Sequence, residues 1–175
     1  MDIEKIKKLR DLTSLGIFDC KKALLESGGN FDKALEILKK KGIEVLEKKK
    51  GKKTLQGLVD SYVHFGGNLA ALIEVNCETD FVAKTDIFKQ LVKDLAMHVA
   101  AASPKYIKKE DIPQEELKDI ADLADYVQKN CLFNQIFIKD SSKTIEDYLK
   151  EVISKTGENI TIKRFARFSL GEDEG

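Results

Sequence analysis

The sequence predicts an α+β fold: a three-helix bundle followed by a three-stranded antiparallel sheet covered by helices. Three observations predict it. Residues 2 to about 46 repeat their apolar positions at helical spacing in three short segments. From Leu55 the apolar period falls to two, the period of a strand. Between them stands Lys48-Lys49-Lys50-Gly51-Lys52-Lys53, which has no apolar pattern and reads as a solvated linker. The boundaries are therefore drawn at 1–47 for the bundle, 48–54 for the linker, 55–171 for the α+β core and 172–175 for a short acidic tail expected to be disordered.

In the bundle, Ile3, Ile6 and Leu9 fall on one side of a first helix, with Asp2 as its cap. Gly16 interrupts the pattern. Cys20, Ala23 and Leu24 then recur at i, i+3 and i+4 until Gly28-Gly29 ends the second helix. Asn30 suits the cap of a third, whose Phe31, Ala34, Leu35 and Leu38 form a stripe, with Gly42 near its end. In the core, Val59, Ser61, Val63 and Phe65 alternate with other residues, as do Leu69, Ala71, Ile73, Val75 and Cys77. The glycines of Phe65-Gly66-Gly67-Asn68 supply the positive φ of a hairpin turn between these runs. Asp86 to Ala102 is a long helix with a wide apolar face (Ile87, Phe88, Leu91, Val92, Leu95, Val99), stopped by Ser103-Pro104 and suited to cover the sheet. Pro113 opens a further helix whose face continues through Leu117, Ile120, Ala121, Ala124 and Val127. Thr144-Ile145-Glu146-Asp147 resembles a capping box ahead of Leu149, Val152 and Ile153, ending at Gly157. A third strand follows from Asn159 to Leu170 through Ile160, Ile162, Ala166 and Phe168; Phe165 beside Arg164 breaks its phase and marks a bulge.

Composition narrows the function. In 175 residues, 30 Lys and Arg balance 30 Asp and Glu, so the whole chain has no net field for nucleic acid or anionic lipid. No stretch approaches the roughly 18 apolar residues of a membrane span, and no targeting segment is recognisable, so a cytoplasmic protein is expected. Cys20, Cys77 and Cys131 are odd in number and widely spaced, which suggests reduced thiols and neither a disulfide framework nor a metal site. With two His and no Trp, few side chains suit proton transfer near neutral pH. No catalytic residue, cofactor or metal is expected.

The most informative stretch is Asn76-Cys77-Glu78-Thr79-Asp80-Phe81-Val82-Ala83-Lys84, where the second strand meets the long helix. Asp80 and Phe81 suit either an ordinary N-cap and core residue or an exposed anchor for a partner's pocket. Ser61-Tyr62-Val63-His64-Phe65-Gly66-Gly67 and Glu74 to Ala83 together closely resemble bacterial elongation factor Ts. Asp19-Cys20-Lys21-Lys22-Ala23-Leu24 resembles that family's ubiquitin-associated-type module, and Gly157-Glu158-Asn159-Ile160 with Arg164-Phe165-Ala166-Arg167-Phe168 gives a third match, in the family's order over residues 1 to 171.

The resemblance implies a guanine-nucleotide exchange factor that binds elongation factor Tu in its GDP-bound and nucleotide-free forms. It implies docking by the ubiquitin-associated-like bundle through Gly16, Ile17, Phe18, Asp19 and Cys20. It also implies opening of the GTPase by Thr79, Asp80, Phe81 and Val82, which disturb its magnesium and phosphate site so that GDP leaves. Gly16-Ile17-Phe18-Asp19 stands where many members have Gly-Met-Met-Asp, which changes the docking surface in detail but leaves it apolar. The chain lacks the duplicated core half and coiled-coil insertion of longer members and resembles the short forms that commonly act as homodimers. Some of these carry a Cys where this chain has Ala166, so a dimer here must pack without a disulfide.

Other readings compete. A non-catalytic scaffold would use the bundle to bind a partner without exchange. A thiol enzyme would pair Cys77 with His64 or His98, yet Cys77 falls on the apolar side of its strand. His98 lies beside an apolar helix face, whereas His64 at the hairpin suits local hydrogen bonding or partner contact. The lysine run has no interleaved aromatics, so direct nucleic-acid binding is not expected, and without a net field or an apolar span neither is membrane binding.

Overall fold

The computed structural model describes residues 2–13, 15–49, 51–118 and 120–172. It divides into two units, Met1–Lys53 with Lys150–Asn159, and Thr54–Leu149 with Ile160–Gly175. In the first, α1 (Ile3–Thr13), α2 (Ile17–Glu26) and α3 (Phe31–Lys49) pack around Ile6, Leu9, Leu15, Cys20, Ala23, Leu24, Ala34 and Leu38. The caps read from the sequence are in place: Asp2 Oδ1 accepts from the Lys5 amide at 3.2 Å and Asn30 Oδ1 from the Lys33 amide at 3.0 Å. Gly29 closes α2 by donating its amide to the Leu24 carbonyl at 2.8 Å, and the φ of +62° and +83° at Gly28 and Gly29 favours glycine there.

Two expectations in this unit are corrected. Ile3 is 67% exposed, because the core is reached one turn later at Ile6. Helix α3 does not end at Gly42 but continues to Lys49. A glycine inside a helix costs about 1 kcal/mol relative to alanine, which weakens a helix without stopping it. Lys48 and Lys49 therefore form a helical last turn, where cations suit the helix dipole. Lys50, and the tail from 173 on, lie outside the described residues.

The second unit is built on a sheet in the order β1-β2-β3, all antiparallel: β1 is Gln56–Val63, β2 Leu69–Cys77 and β3 Ile160–Ser169. The β1-β2 hairpin turns through Gly66 and Gly67, with the His64 amide donating to the Leu69 carbonyl at 2.8 Å. Ala71, Ile73, Val75 and Cys77 of β2 are buried, as the alternation predicts. Helix α4 (Asp80–Ala83) follows, and α5 (Asp86–Ala102) lies across β1 and β2 with Phe88, Leu91, Val92, Leu95 and Val99 buried. Ser103 ends α5 at φ +48°. Gly57, opposite Asn76, permits the close approach of β1 where β2 runs toward α4. A Cβ on Gly57 would stand 2.2 Å from the Val75 carbonyl oxygen and 2.7 Å from Asn76 Cα.

The predicted bulge is present, at Lys163. Val75 pairs with Ile162 and Glu74 with Arg164, so one residue of β3 has no opposite number. The bulge reverses the faces: Ile160 and Ile162 are buried, whereas Ala166 and Phe168 beyond it are exposed and Phe165 and Arg167 turn toward the covered side. The helix expected from Pro113 to Val127 is two, α6 (Gln114–Leu117) and α7 (Leu123–Asn130). Asp122 Oδ1 accepts from the Ala124 and Asp125 amides at 3.0 and 3.1 Å and starts a new helix; Ala121 and Ala124 are exposed. Helix α8 (Ile145–Thr156) begins with the expected box, Thr144 and Asp147 bonding reciprocally.

A buried polar network secures the segment after α7 to α5. His98, fully buried, bonds Gln135 Oε1 through Nε2 at 3.0 Å and accepts the Ile138 amide on Nδ1 at 3.4 Å. Asp94 accepts from Gln90, Lys139 and Tyr148 at 2.8, 2.6 and 2.9 Å. The Ile138 bond requires a bare Nδ1, so the ring is neutral, and burial holds the His98 pKa below its ordinary value. A histidine whose folded pKa is depressed gives the unfolded chain more protons to bind once the pH drops below the ordinary value of about 6.5. Its contribution is intact above that pH and is lost as the pH falls toward the lowered folded value. Melting curves at pH values from about 7.5 down to 5.5 should show native stability falling faster than that of His98→Gln, which is less stable at the upper limit; parallel slopes would contradict this assignment.

Candidate functional site

Thr79-Asp80-Phe81-Val82 lies where β2 leaves the sheet. Cys77 ends β2 buried, and its thiol donates to the Thr79 carbonyl at 3.1 Å. Thr79 is extended (φ −127°, ψ 156°) and its Oγ1 accepts the Val82 amide at 3.4 Å, capping α4. At the other end the Thr85 amide and hydroxyl both donate to the Val82 carbonyl, at 3.0 and 2.7 Å, while the Thr85 hydroxyl also accepts the Phe88 amide at 3.3 Å to cap α5. One turn of helix is thus tied to the buried end of a strand on one side and to a seventeen-residue helix on the other.

The turn places its residues differently. Ala83 is buried and seats it, Thr79, Asp80 and Val82 are half-buried, and Phe81 is 79% exposed. Phe81 is therefore not the core residue that its type suggests. Asp80 Oδ2 meets Lys84 Nζ at 2.5 Å, and that hydrogen bond, with the Lys84 charge, holds the Asp80 carboxyl below its usual pKa. At neutral pH the turn thus presents an ionised carboxylate next to a bare aromatic ring. This combination can insert an apolar group and a negative charge into a partner.

The second predicted group lies in the bundle. Gly16, extended at φ −61° and ψ 149°, precedes α2; Ile17 and Phe18 in its first turn are 56% and 76% exposed. Asp19 is paired with Lys41 of α3 at 2.5 Å, which joins the two helices behind them. Cys20 is fully buried, with its thiol raised above the ordinary pKa by burial, so it supports this surface from within the core and does not present to a partner. The exposed pair is Ile17 and Phe18.

Of the competing residues, Cys77 is fully buried and so is His98. His64 Nδ1 meets the Tyr62 hydroxyl at 3.1 Å on the surface. Among the described residues no group of three His, Cys, Asp or Glu could hold a metal ion, and no helix is long and apolar enough to cross a membrane.

Two features escaped the sequence reading. Lys84 is one, since its pairing with Asp80 exists only because the intervening residues form a helical turn. The other is an asymmetry beneath the zero net charge: residues 1–53 hold fifteen Lys and Arg against nine Asp and Glu, and the remainder fifteen against twenty-one. Ile17 and Phe18 therefore belong to a basic part of the chain.

Comparison with known proteins agrees with the resemblance. The family model "Elongation factor TS" matches residues 18–125 and 120–172. The chain is 44% identical to elongation factor Ts of Thermotoga neapolitana over 194 residues, covering 99% of this chain and 98% of that one. It is 44% identical to the elongation factor Ts of a Thermoanaerobacter species over 192 residues, covering 97% and 94%. The Moorella thermoacetica elongation factor Ts is 45% identical over 190 residues, covering 95% and 94%.

Proposed function

The chain belongs to the elongation factor Ts family, and from that premise we propose that it is a guanine-nucleotide exchange factor which binds elongation factor Tu–GDP and promotes GDP release. The observation that carries this reading is Phe81, a large apolar side chain 79% exposed on a turn fixed at both ends. GDP in a GTPase is held by phosphate-cradling amides and a divalent cation. Burying a phenylalanine contributes about 1.5–3 kcal/mol, and on a rigid support that gain can offset distortion of the partner. The Asp80 carboxylate, kept ionised, competes for the magnesium ion or for the groups that hold it and so disturbs that site. The factor performs no covalent chemistry.

The bundle is the docking module, with Ile17 and Phe18 as contacts and basic surroundings that favour an acidic partner surface. The bundle of residues 1–47 and the 55–171 core that carries the turn act as separate modules, joined through 48–54, of which Lys48 and Lys49 are the last turn of α3. This action belongs in the cytoplasm and needs neither nucleic acid nor membrane. Stopped-flow release of a fluorescent GDP from bacterial elongation factor Tu should be strongly accelerated by the native chain, and Phe81→Ala should lose most of that acceleration while keeping its circular-dichroism spectrum. Absence of acceleration by folded native protein would reject exchange and leave the scaffold reading.

We also propose a noncovalent homodimer through the sheet face that α5 leaves uncovered. Val59, Val63, Leu72 and Phe168 are 61%, 62%, 48% and 63% exposed, and Val63, Ala70 and Phe168 form one cross-strand row beside Ser61, Leu72 and Ala166. Such a patch suits a self-complementary interface. Sedimentation equilibrium should give a dimer for the native chain and a folded monomer for Phe168→Asp; a native monomer at micromolar concentration would refute the dimer.

A further inference from the structure

Threonine caps, β2 and α5 fix the backbone of α4, so the freedom left to Asp80 is that of its side chain, with three staggered χ1 wells. The strongest side-chain contact on it is with Lys84, beside the backbone amides of Asp80 and Phe81. Lys84 Nζ stands 2.5 Å from Asp80 Oδ2 while the Lys84 amide donates to the Asp80 carbonyl at 3.1 Å, so the two residues are tied twice across one turn. Lys84 itself is 73% exposed, so packing does not hold it. Comparable pairs, Lys22 with Glu26 and Lys129 with Asp125, lie on helices of ten and eight residues. Here the pair spans the whole four-residue helix and restrains a side chain of the candidate site.

We propose that Lys84 is a positioning residue for exchange: its ion pair holds the Asp80 carboxylate in the orientation that the docked complex uses, before any partner arrives. This rests on the reading of Asp80 and Phe81 as the groups that open the GTPase. Among the described residues, Lys84 is the only charged side chain that bears on the ionisation of Asp80, and its hydrogen bond outweighs those of the Asp80 and Phe81 amides to the same carboxylate. Confining one side chain to one of three wells raises the productive fraction by up to about threefold, and the pair's exposure makes the gain sensitive to salt.

The test is a double-mutant cycle read by stopped-flow GDP release from elongation factor Tu, with the Asp80 rotamer read separately in the free protein from its Hα–Hβ couplings. Lys84→Met should slow stimulated release about two- to threefold at low salt and much less at high salt, Lys84→Arg should restore it, and Lys84→Met should add nothing to Asp80→Asn. The Asp80 couplings should change from one rotamer in the native chain to an average in Lys84→Met. The proposal is overturned if Lys84→Met releases GDP as fast as the native chain while Asp80→Asn is slow, or if its effect persists in Asp80→Asn, which would make Lys84 a direct contact. An Asp80→Asn variant as active as the native chain would instead overturn the role of Asp80 in opening the GTPase, and the couplings would still decide whether Lys84 sets its rotamer.

Discussion

A single turn of helix has no stability of its own, because the dihedral angles it fixes cost more than its one or two hydrogen bonds return. The turn from Asp80 to Ala83 exists because both of its ends are held. Upstream, Cys77 closes a strand whose inner residues are buried under α5, and downstream Thr85 serves as C-terminal anchor for the turn and N-cap for α5. The same helix that covers the sheet therefore fixes the turn. Phe81 can remain exposed because Ala83, two residues on, is buried in its place.

This arrangement explains why a core can serve a function that none of its residues performs directly. A flexible loop bearing a phenylalanine would lose much of its binding energy to ordering. Here the ordering cost is met on folding, so under the proposed function the free energy of burying Phe81 in a partner would be available to deform that partner. Gly57 belongs to the same device, since it lets β1 close on β2 beside the residues that lead into the turn. The bulge at Lys163 serves the opposite face by turning Ala166 and Phe168 outward, next to Leu72 and the valines of β1.

Much of this was legible in the sequence. The β2 alternation, both bundle caps, the double glycine of the hairpin and the box at Thr144 each depend on neighbours within a few residues, and each stands as read. The missed features depend on competition or on the third dimension. Helical periodicity does not distinguish one helix over Gln114–Val127 from two separated by the Asp122 cap. A glycine that can end a helix can also lie within one, as Gly42 does. A bulge is visible as a broken phase, but the face that follows it depends on the register with β2. Asp80 and Phe81 were legible as a pair of suggestive residues; the exposure of Phe81 required the turn, and the tether to Lys84 required the turn to be helical.

Exchange as proposed requires a thermodynamic difference: the chain must bind the form of its partner that has lost nucleotide more tightly, with Phe81 supplying part of that difference. Calorimetric titration into nucleotide-free and into GDP-bound elongation factor Tu measures that coupling directly. Tighter binding to the empty form, by a factor on the order of 5–150, with the factor reduced toward one in Phe81→Ala, is the predicted result. Equal affinity for the two forms would contradict it, because a ligand that binds both states alike shifts no equilibrium.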